Sequence, residues 1–329
     1  MTNRRTVLRL APALAALAPP GRRAVAQGSR FPDRPIRFII PFAAGGSNDI
    51  VGRVLTEGMG PRLGQTFVVE NRGGAGGILG NEAVAQAPKD GYTILLGGSG
   101  SFLISSLVQP RVPYNIIRDF APIGFVGNAP NVITVSPKVE ARTMSELRDL
   151  ARRARPLLSY ASPGVGTTGH VLGALLALTF EAEMEHIPYR GTGPAITDVL
   201  AGRVQILTNA AAPLRPHIAS GGLRALAVAA PRRLPLLPDV PTTVEQGFAN
   251  VISSTWYGLL APAGTPADRV AALHSALNAT LADEGVRQRL AEEGVEIEAS
   301  PTPQDYGRFI ERDRQRWQEV VTRANIRAE

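Results

Sequence analysis

Short unbroken apolar runs recur along this chain, each followed by a loop of small residues and then by a helix-period stretch. Arg37-Phe38-Ile39-Ile40, set between Pro35 and Pro41, reads as a strand buried on both faces of a parallel sheet. The loop Pro41 to Asp49 follows, and Ile50, Val51, Val54 and Leu55 then repeat at helical spacing behind the cap residues Ser47, Asn48 and Asp49. Phe67-Val68-Val69 is a second strand, with the glycine-rich loop Asn71 to Gly77 and a helix from Leu79 to about Ala87. Asp90-Gly91 turns the chain into a third strand, Tyr92 to Leu96, which ends in Gly97-Gly98-Ser99-Gly100-Ser101.

The same grammar returns downstream. Leu158 to Ala161 is a strand, Ser162 to Gly169 a loop, and His170 to about Phe180 a helix. Glu185 to Pro188 is a strand, Tyr189 to Gly193 its loop, and Pro194 opens the next helix. Val204 to Leu207 is the third strand, ending at Thr208-Asn209. A strand-helix-strand-helix-strand order that occurs twice predicts an α/β protein with two parallel sheets, hence two lobes. Further on, Pro231 to Pro241 reads as an extended connection and Thr255 to Ala261 as another strand. Ala267 to Leu281 and Thr302 to about Ala324 are amphipathic helices with a core stripe and a solvated face.

The first 26 residues are a different kind of segment. Arg4, Arg5 and Arg9 precede an apolar stretch from Leu10 to Ala18, and Ala24-Val25-Ala26 offers a cleavage site. This is the pattern of a secretory signal, too short and too interrupted by Pro12, Pro19 and Pro20 to span a bilayer. Asn3 to Arg9 resembles a twin-arginine motif; the ordinary secretory route is the alternative, and both lead across the inner membrane to the periplasm. Removing this segment also changes the charge argument. The chain has 35 basic and 28 acidic residues; five of the basic ones lie in 1–26, leaving 30 against 28, about +2. So small a balance, with Lys only at Lys89 and Lys138, does not point to nucleic acid.

Chemistry is sparse. No cysteine is present, which excludes disulfides, thiolate metal sites and a cysteine nucleophile. His170, His186, His217 and His274 show no metal-ligand spacing, and no metal or cofactor is expected. Gly164-x-Gly166-x-x-Gly169 with Glu185 downstream fits a dinucleotide fingerprint, but an exported protein meets little of that cofactor. No nucleophile elbow occurs; a serine hydrolase assembled in space stays open as an alternative. What remains is loop chemistry. Ligands of open α/β sheets bind beyond the carboxyl ends of strands. There, glycine-rich loops leading into helices expose free backbone N–H groups and the positive end of the helix dipole. Four such loops, two per lobe, would grip a dicarboxylate or similar acid without lysine or arginine. Asp49 could instead only cap its helix, Asn209 could be a turn residue, and His170 could simply pack. Trp256 and Tyr257 read as core or hinge.

These residues together resemble the substrate-binding proteins of tripartite tricarboxylate transporters, the Bug family. The resemblance rests on Phe31 to Arg37, Pro41 to Asp49, Val69 to Gly77, Asp90 to Thr93, Tyr160 to His170, Pro188 to Gly191, Leu237 to Thr242 and Trp256 to Pro266, in order. It implies a type II periplasmic-binding-protein fold: two α/β lobes, an interdomain cleft and two crossing strands, near Phe125–Val135 and Ile252–Leu260. The expected lobes are 30–129 plus 253–329, and 130–252. The implied function is capture of a small carboxylate metabolite, without chemistry, for an inner-membrane tripartite permease or, alternatively, a sensor domain; the expected state is a monomer. The first loop would hold one carboxylate, partly through water, and Ser162 to Thr168 the other end. The expected ligand contacts are Phe42, Ala43, Ala44, Gly45, Ser47, Asn48 and Asp49, then Gly98 and Ser99. In the second repeat they are Ser162, Gly166, Thr167, Thr168 and His170, then Tyr189, Gly191, Thr192 and Asn209. Many relatives carry Asp where this chain has Asn209, and often where it has Gln205. Neutral Asn209 can donate to an acceptor and favours a ligand without a cationic amine.

Overall fold

The computed structural model describes residues 31–327; the signal segment expected over 1–26 lies outside them. The chain opens with β1 (Ile36–Ile40), α1 (Ser47–Leu63), β2 (Phe67–Asn71), α2 (Ile78–Ala85) and β3 (Thr93–Gly98). A short helical stretch over Ser99–Ile104 leads into α3 (Ser105–Val108). A long strand, β4 (Phe120–Val135), precedes α4 (Met144–Arg153). The second repeat is β5 (Ser159–Ser162), α5 (Thr168–Phe180), β6 (Glu185–Pro188), α6 (Thr192–Leu200) and β7 (Ile206–Ala210). It is followed by α7 (Arg215–Ala219), β8 (Arg224–Val228) and β9 (Ser254–Pro262). The chain ends with α8 (Ala267–Leu281), α9 (Glu284–Glu292), β10 (Glu296–Ile297) and α10 (Pro303–Arg323).

The two repeats pair alike. β1 lies parallel between β2 and β3, and β5 lies parallel between β6 and β7. β3 then pairs antiparallel with β9, and β7 antiparallel with β4. β4 joins the two sheets. Its residues up to Pro130 pair with β9, and from Asn131 onward they pair with β7 and β8. The result is a two-lobed α/β fold in which one sixteen-residue strand runs through both sheets.

Both faces of each sheet are covered, which is why the strands read as continuous apolar runs rather than alternating ones. Ile36, Phe38 and Ile40 pack toward α1 and α8, while Ile39 and Leu95 face the core shared with Trp256 and Trp317. In the second sheet Ile133, Tyr160 and Ile206 face one core, and Val132, Ala161 and Leu207 the other. Several boundaries differ from the sequence reading by a few residues, and two of them lie at the cleft. α5 starts at Thr168 rather than His170. α6 starts at Thr192, two residues before Pro194, so the proline sits in the first turn rather than at its first position. α4, α9 and β8 carry no expectation from the sequence reading. For α4 the signal was there: the cap Thr143 accepts from the Glu146 N–H at 3.1 Å, while Glu146 accepts from the N–H of Arg142, the residue before the cap, at 2.7 Å, a variant of the capping box.

Candidate functional site

All six parallel strands point their carboxyl ends at the same region, and a cavity of about 540 Å3 lies there. Its wall is Phe42 to Asn48, then Gly98, Gly100 and Ser101 from the first repeat. Pro163, Thr167, Thr168, Gly191, Thr192, Asn209, Ala210 and Pro213 come from the second, and Thr255 and Tyr257 from β9. None of these side chains carries a charge. Three helices begin on this wall: α1 after Gly46, α5 after Thr167 and α6 after Gly191. Their first turns expose N–H groups and the positive ends of three dipoles. A larger concavity, about 760 Å3, lies against α8, α10 and the start of β4, but no strand terminus or loop of the second repeat reaches it.

The expected contacts fall into two groups. Phe42, Ala43, Ala44, Gly45, Ser47, Asn48, Gly98, Thr167, Thr168, Gly191, Thr192 and Asn209 line the cavity. Asp49, Ser99, Ser162, Gly166, His170 and Tyr189 do not, and each has a partner inside its own lobe. Asp49 is buried; its carboxylate accepts from the Gly45 N–H, Arg53 Nε and Asn71 Nδ2, each at 3.0 Å. The Arg53 contact, more than any other, holds its carboxyl down at about 2. Asp49 thus shapes the first loop from behind and occupies the Gly45 donor. Ser99 Oγ donates to the Ser254 carbonyl and accepts from the Trp256 N–H, stitching β3 to β9. Tyr189 donates to Asp198 at 2.7 Å. The loop Asn71 to Gly77, one of the four expected gripping loops, contributes nothing to the cavity: Gly73 backs onto Ala43, and Gly77 onto Ser101. Gly98 to Ser101 takes its place. Gln205 sits at the far end of β7, where its side chain accepts from Ser159, so its identity has no bearing on a guest.

Gly46 and Pro163 lie in the two loops expected to hold the ligand but were not named singly; Gly100, Ser101, Ala210, Pro213 and Thr255 were missed, and Tyr257, read as core or hinge, is buried and also on the wall. Ser101 stands out, since its buried hydroxyl has no partner among the described residues. Thr168 does more than line the wall. Its Oγ1 lies 2.8 Å from Thr255 Oγ1, which ties the start of α5 to β9 across the floor of the cleft.

The glycine fingerprint has a structural explanation. A Cβ on Gly169 would come within 2.2 Å of the Thr208 carbonyl, so that glycine lets α5 press against β7. Glu185 is exposed at the opening end of β6, away from the loop, which is the wrong end for holding a ribose.

His170 and His186 stack with ring centroids 3.8 Å apart. Burial, and secondarily His186, push the His170 ring down to about 3, and burial pushes His186 down to about 4. An unfolded chain takes up both protons near pH 6.5, whereas the native state refuses them until close to pH 4 and below. The native state therefore binds fewer protons in that window, and stability falls as pH falls from about 6.5 toward 4. With both rings contributing, the slope should steepen toward a limit of about 3 kcal/mol per pH unit below pH 6. His170→Phe should remove about half of this slope, read from urea midpoints at pH 5 and pH 7; an unaltered slope would contradict it.

Comparison with known proteins fits this geometry. The family described as "Tripartite tricarboxylate transporter family receptor" matches residues 51–326. The chain is similar to protein BugT of Bordetella pertussis, 35% identical over 306 residues, covering 93% of this chain and 94% of that one. Among solved structures it resembles R. palustris Rpa4515 with adipate, at 30% identity and TM-score 0.81, covering 90% and 99% of the two chains. It also resembles MatC from Rhodopseudomonas palustris with bound malate, at 30% identity and TM-score 0.77, covering 88% and 100%.

Proposed function

The chain belongs to the tripartite tricarboxylate transporter family of periplasmic solute receptors, and we propose that it captures a small dicarboxylate or related acid in the cleft between its lobes and releases it unchanged. The observation that carries this reading is the convergence of three helix N-termini on a wall that has no charged side chain. Main-chain donors and dipoles suit an anion there, and the neutral wall supplies no acid to repel it. The malate and adipate held by the two relatives belong to the same ligand class. A hydrolytic role fits less well. The one serine–histidine side-chain hydrogen bond among the described residues, Ser162 with His186 at 2.7 Å, is off the cavity wall, with Ser162 fully buried.

The lobes in this reading are 30–129 plus 253–329, and 130–252, supported by the change of partner along β4 between Pro130 and Asn131. The ligand holds the closed form by touching both. Export by the 1–26 segment, action as a monomer, and delivery to a tripartite permease rather than a sensor complete the proposal. Its test is a thermal-shift series with malate, adipate and other small acids on the mature protein. A binder should raise the midpoint in a concentration-dependent way and be recovered chemically intact. Conversion of the bound acid would refute the receptor reading.

Asn209 tunes the charge preference. It is 9% exposed on the wall, and one of its amide hydrogens goes to Thr192 Oγ1 at 3.0 Å. An NH2 carries two hydrogens, so one remains for a guest's acceptor. Asn209→Asp would place an anion against an anionic guest and remove both donors. Affinity for the carboxylate should fall about 10-fold or more by calorimetry, equivalent to about 1.4 kcal/mol. Equal affinity would rule out a role for Asn209 in selecting charge.

A further inference from the structure

We propose that His170 and His186 are a positioning pair that holds the Ser162–Thr168 loop in the shape it presents to the cleft. This rests on the cleft reading above, which gives the loop's shape its meaning.

The loop closes its own turns, with the Thr167 N–H and hydroxyl both donating to the Gly164 carbonyl, but its two glycines leave it little to pack against the rest of the lobe. Gly164 and Gly166 adopt φ of +142° and +79°, in a region that favours glycine, and glycine brings no side chain to pack. Backbone bonds from Tyr189 and Gly191 hold its start, at Ser162 and Pro163, and the two rings anchor the rest. His186 Nε2 lies 2.7 Å from Ser162 Oγ. That same hydroxyl accepts from the Gly164 N–H and reaches the Gly164 carbonyl, at 3.2 and 3.1 Å. His170 Nδ1 accepts from the Gly166 N–H at 3.3 Å. The main-chain N–H of His170 meets Thr167 Oγ1, whose hydroxyl donates to the Gly164 carbonyl at 2.7 Å. Each turn of the loop is therefore tied to a histidine, directly or through one atom. Of the loop, Pro163 near its start and Thr167 and Thr168 at its end lie on the cleft wall.

The rings hold each other as well. They are parallel within 7°, and the Tyr160 ring stacks on His186 at 4.9 Å and 26°. An acceptor at His170 Nδ1 requires a ring without a proton on that atom, and burial keeps both rings neutral through the ordinary pH range. Simple core packing would need neither nitrogen, because any flat apolar ring could fill the stack.

That difference is measurable. His170→Phe keeps a ring but loses the acceptor, while His170→Asn keeps an acceptor where Nδ1 stood. In the unliganded protein, amide exchange at Gly166 and Thr167 should quicken about 10-fold in the Phe variant and return toward the native rate in the Asn variant. The affinity for malate or adipate should follow the same order. Unchanged exchange in the Phe variant would overturn the proposal, as would faster exchange with unchanged affinity. If His170→Phe does not fold, His186→Asn, which removes the Ser162 anchor and the ring stacked on His170, is read in the same way. Failure of the cleft reading looks different: neither acid would perturb the loop, while the exchange effect of the variants would persist.

Discussion

Gly46→Trp should abolish acid capture while leaving the fold standing. Gly46 caps α1 in an extended conformation, φ −89° and ψ 169°, which any residue can adopt. A Cβ built there meets nothing within 4 Å, and the position lies on the cavity wall. An indole at this point enters the space between the lobes and competes with the guest for the N-terminus of α1. The loss of the cap glycine costs about 1 kcal/mol at most. Loss of closure and of the α1 contacts should weaken binding about 100-fold or more, or about 3 kcal/mol. Gly46→Ala serves as the control and should bind within about 3-fold of the native protein, since a methyl group there touches nothing. Calorimetry with the best acid from the thermal series, paired with a melting curve, checks both halves of the expectation. A tryptophan variant that binds normally would move the site elsewhere.

The largest stability loss is expected for Trp256→Ala. Trp256 is 1% exposed on β9, where it pairs with Asn128 of the strand that passes between the lobes. Its ring packs edge-on against Tyr306 and Phe309, at 5.9 and 5.6 Å. Its Nε1 donates to Asp313 at 2.7 Å. Burial already pushes the Asp313 carboxyl up, and the indole N–H is the strongest contact opposing that push. Nearby, the Arg316 guanidinium donates to the Ile252 carbonyl, so α10 grips the second connection between the lobes at two points. Truncation leaves a cavity, worth about 3–5 kcal/mol. It also takes from the half-buried Asp313 its strongest hydrogen-bond partner, leaving only Arg316 and Trp317 beside it, worth about 1 kcal/mol more. Trp256→Phe keeps most of the packing and isolates the second contribution. Urea unfolding should order the three proteins native, Phe, Ala. A loss below about 1 kcal/mol for the alanine variant would contradict this account of α10.

The fold was legible because its physics is local and repeated. Buried parallel strands need unbroken apolar runs, and their loops need small residues, so both repeats could be read from pattern alone. The resemblance supplied what pattern could not, namely that the two sheets share a strand. β4 hides this, since Gly124, Gly127 and two prolines interrupt its run, and β-bulges at Pro122/Gly124 and Phe125/Gly127 break any clean alternation in its first half. At the site, the loop backbone was foreseeable and the side-chain assignments were not. Asp49, Ser162 and His170 have the residue types of ligand contacts, yet each spends its polar atoms on a neighbouring turn, a choice set by distances across the fold. Ser101 and Thr255 look ordinary in sequence. What draws attention to them is a bare hydroxyl in one case and a bond across the cleft floor in the other.

A guest in this cleft must meet both repeats at once. Titrating 15N-labelled mature protein with mono-, di- and tricarboxylates, and following the amides of residues 43–48 together with 167, 168, 191 and 192, tests this most directly. At least one acid should shift both sets along a single one-to-one saturation curve. If every acid in the panel left one set unmoved, the cleft would not be a receptor site for carboxylates.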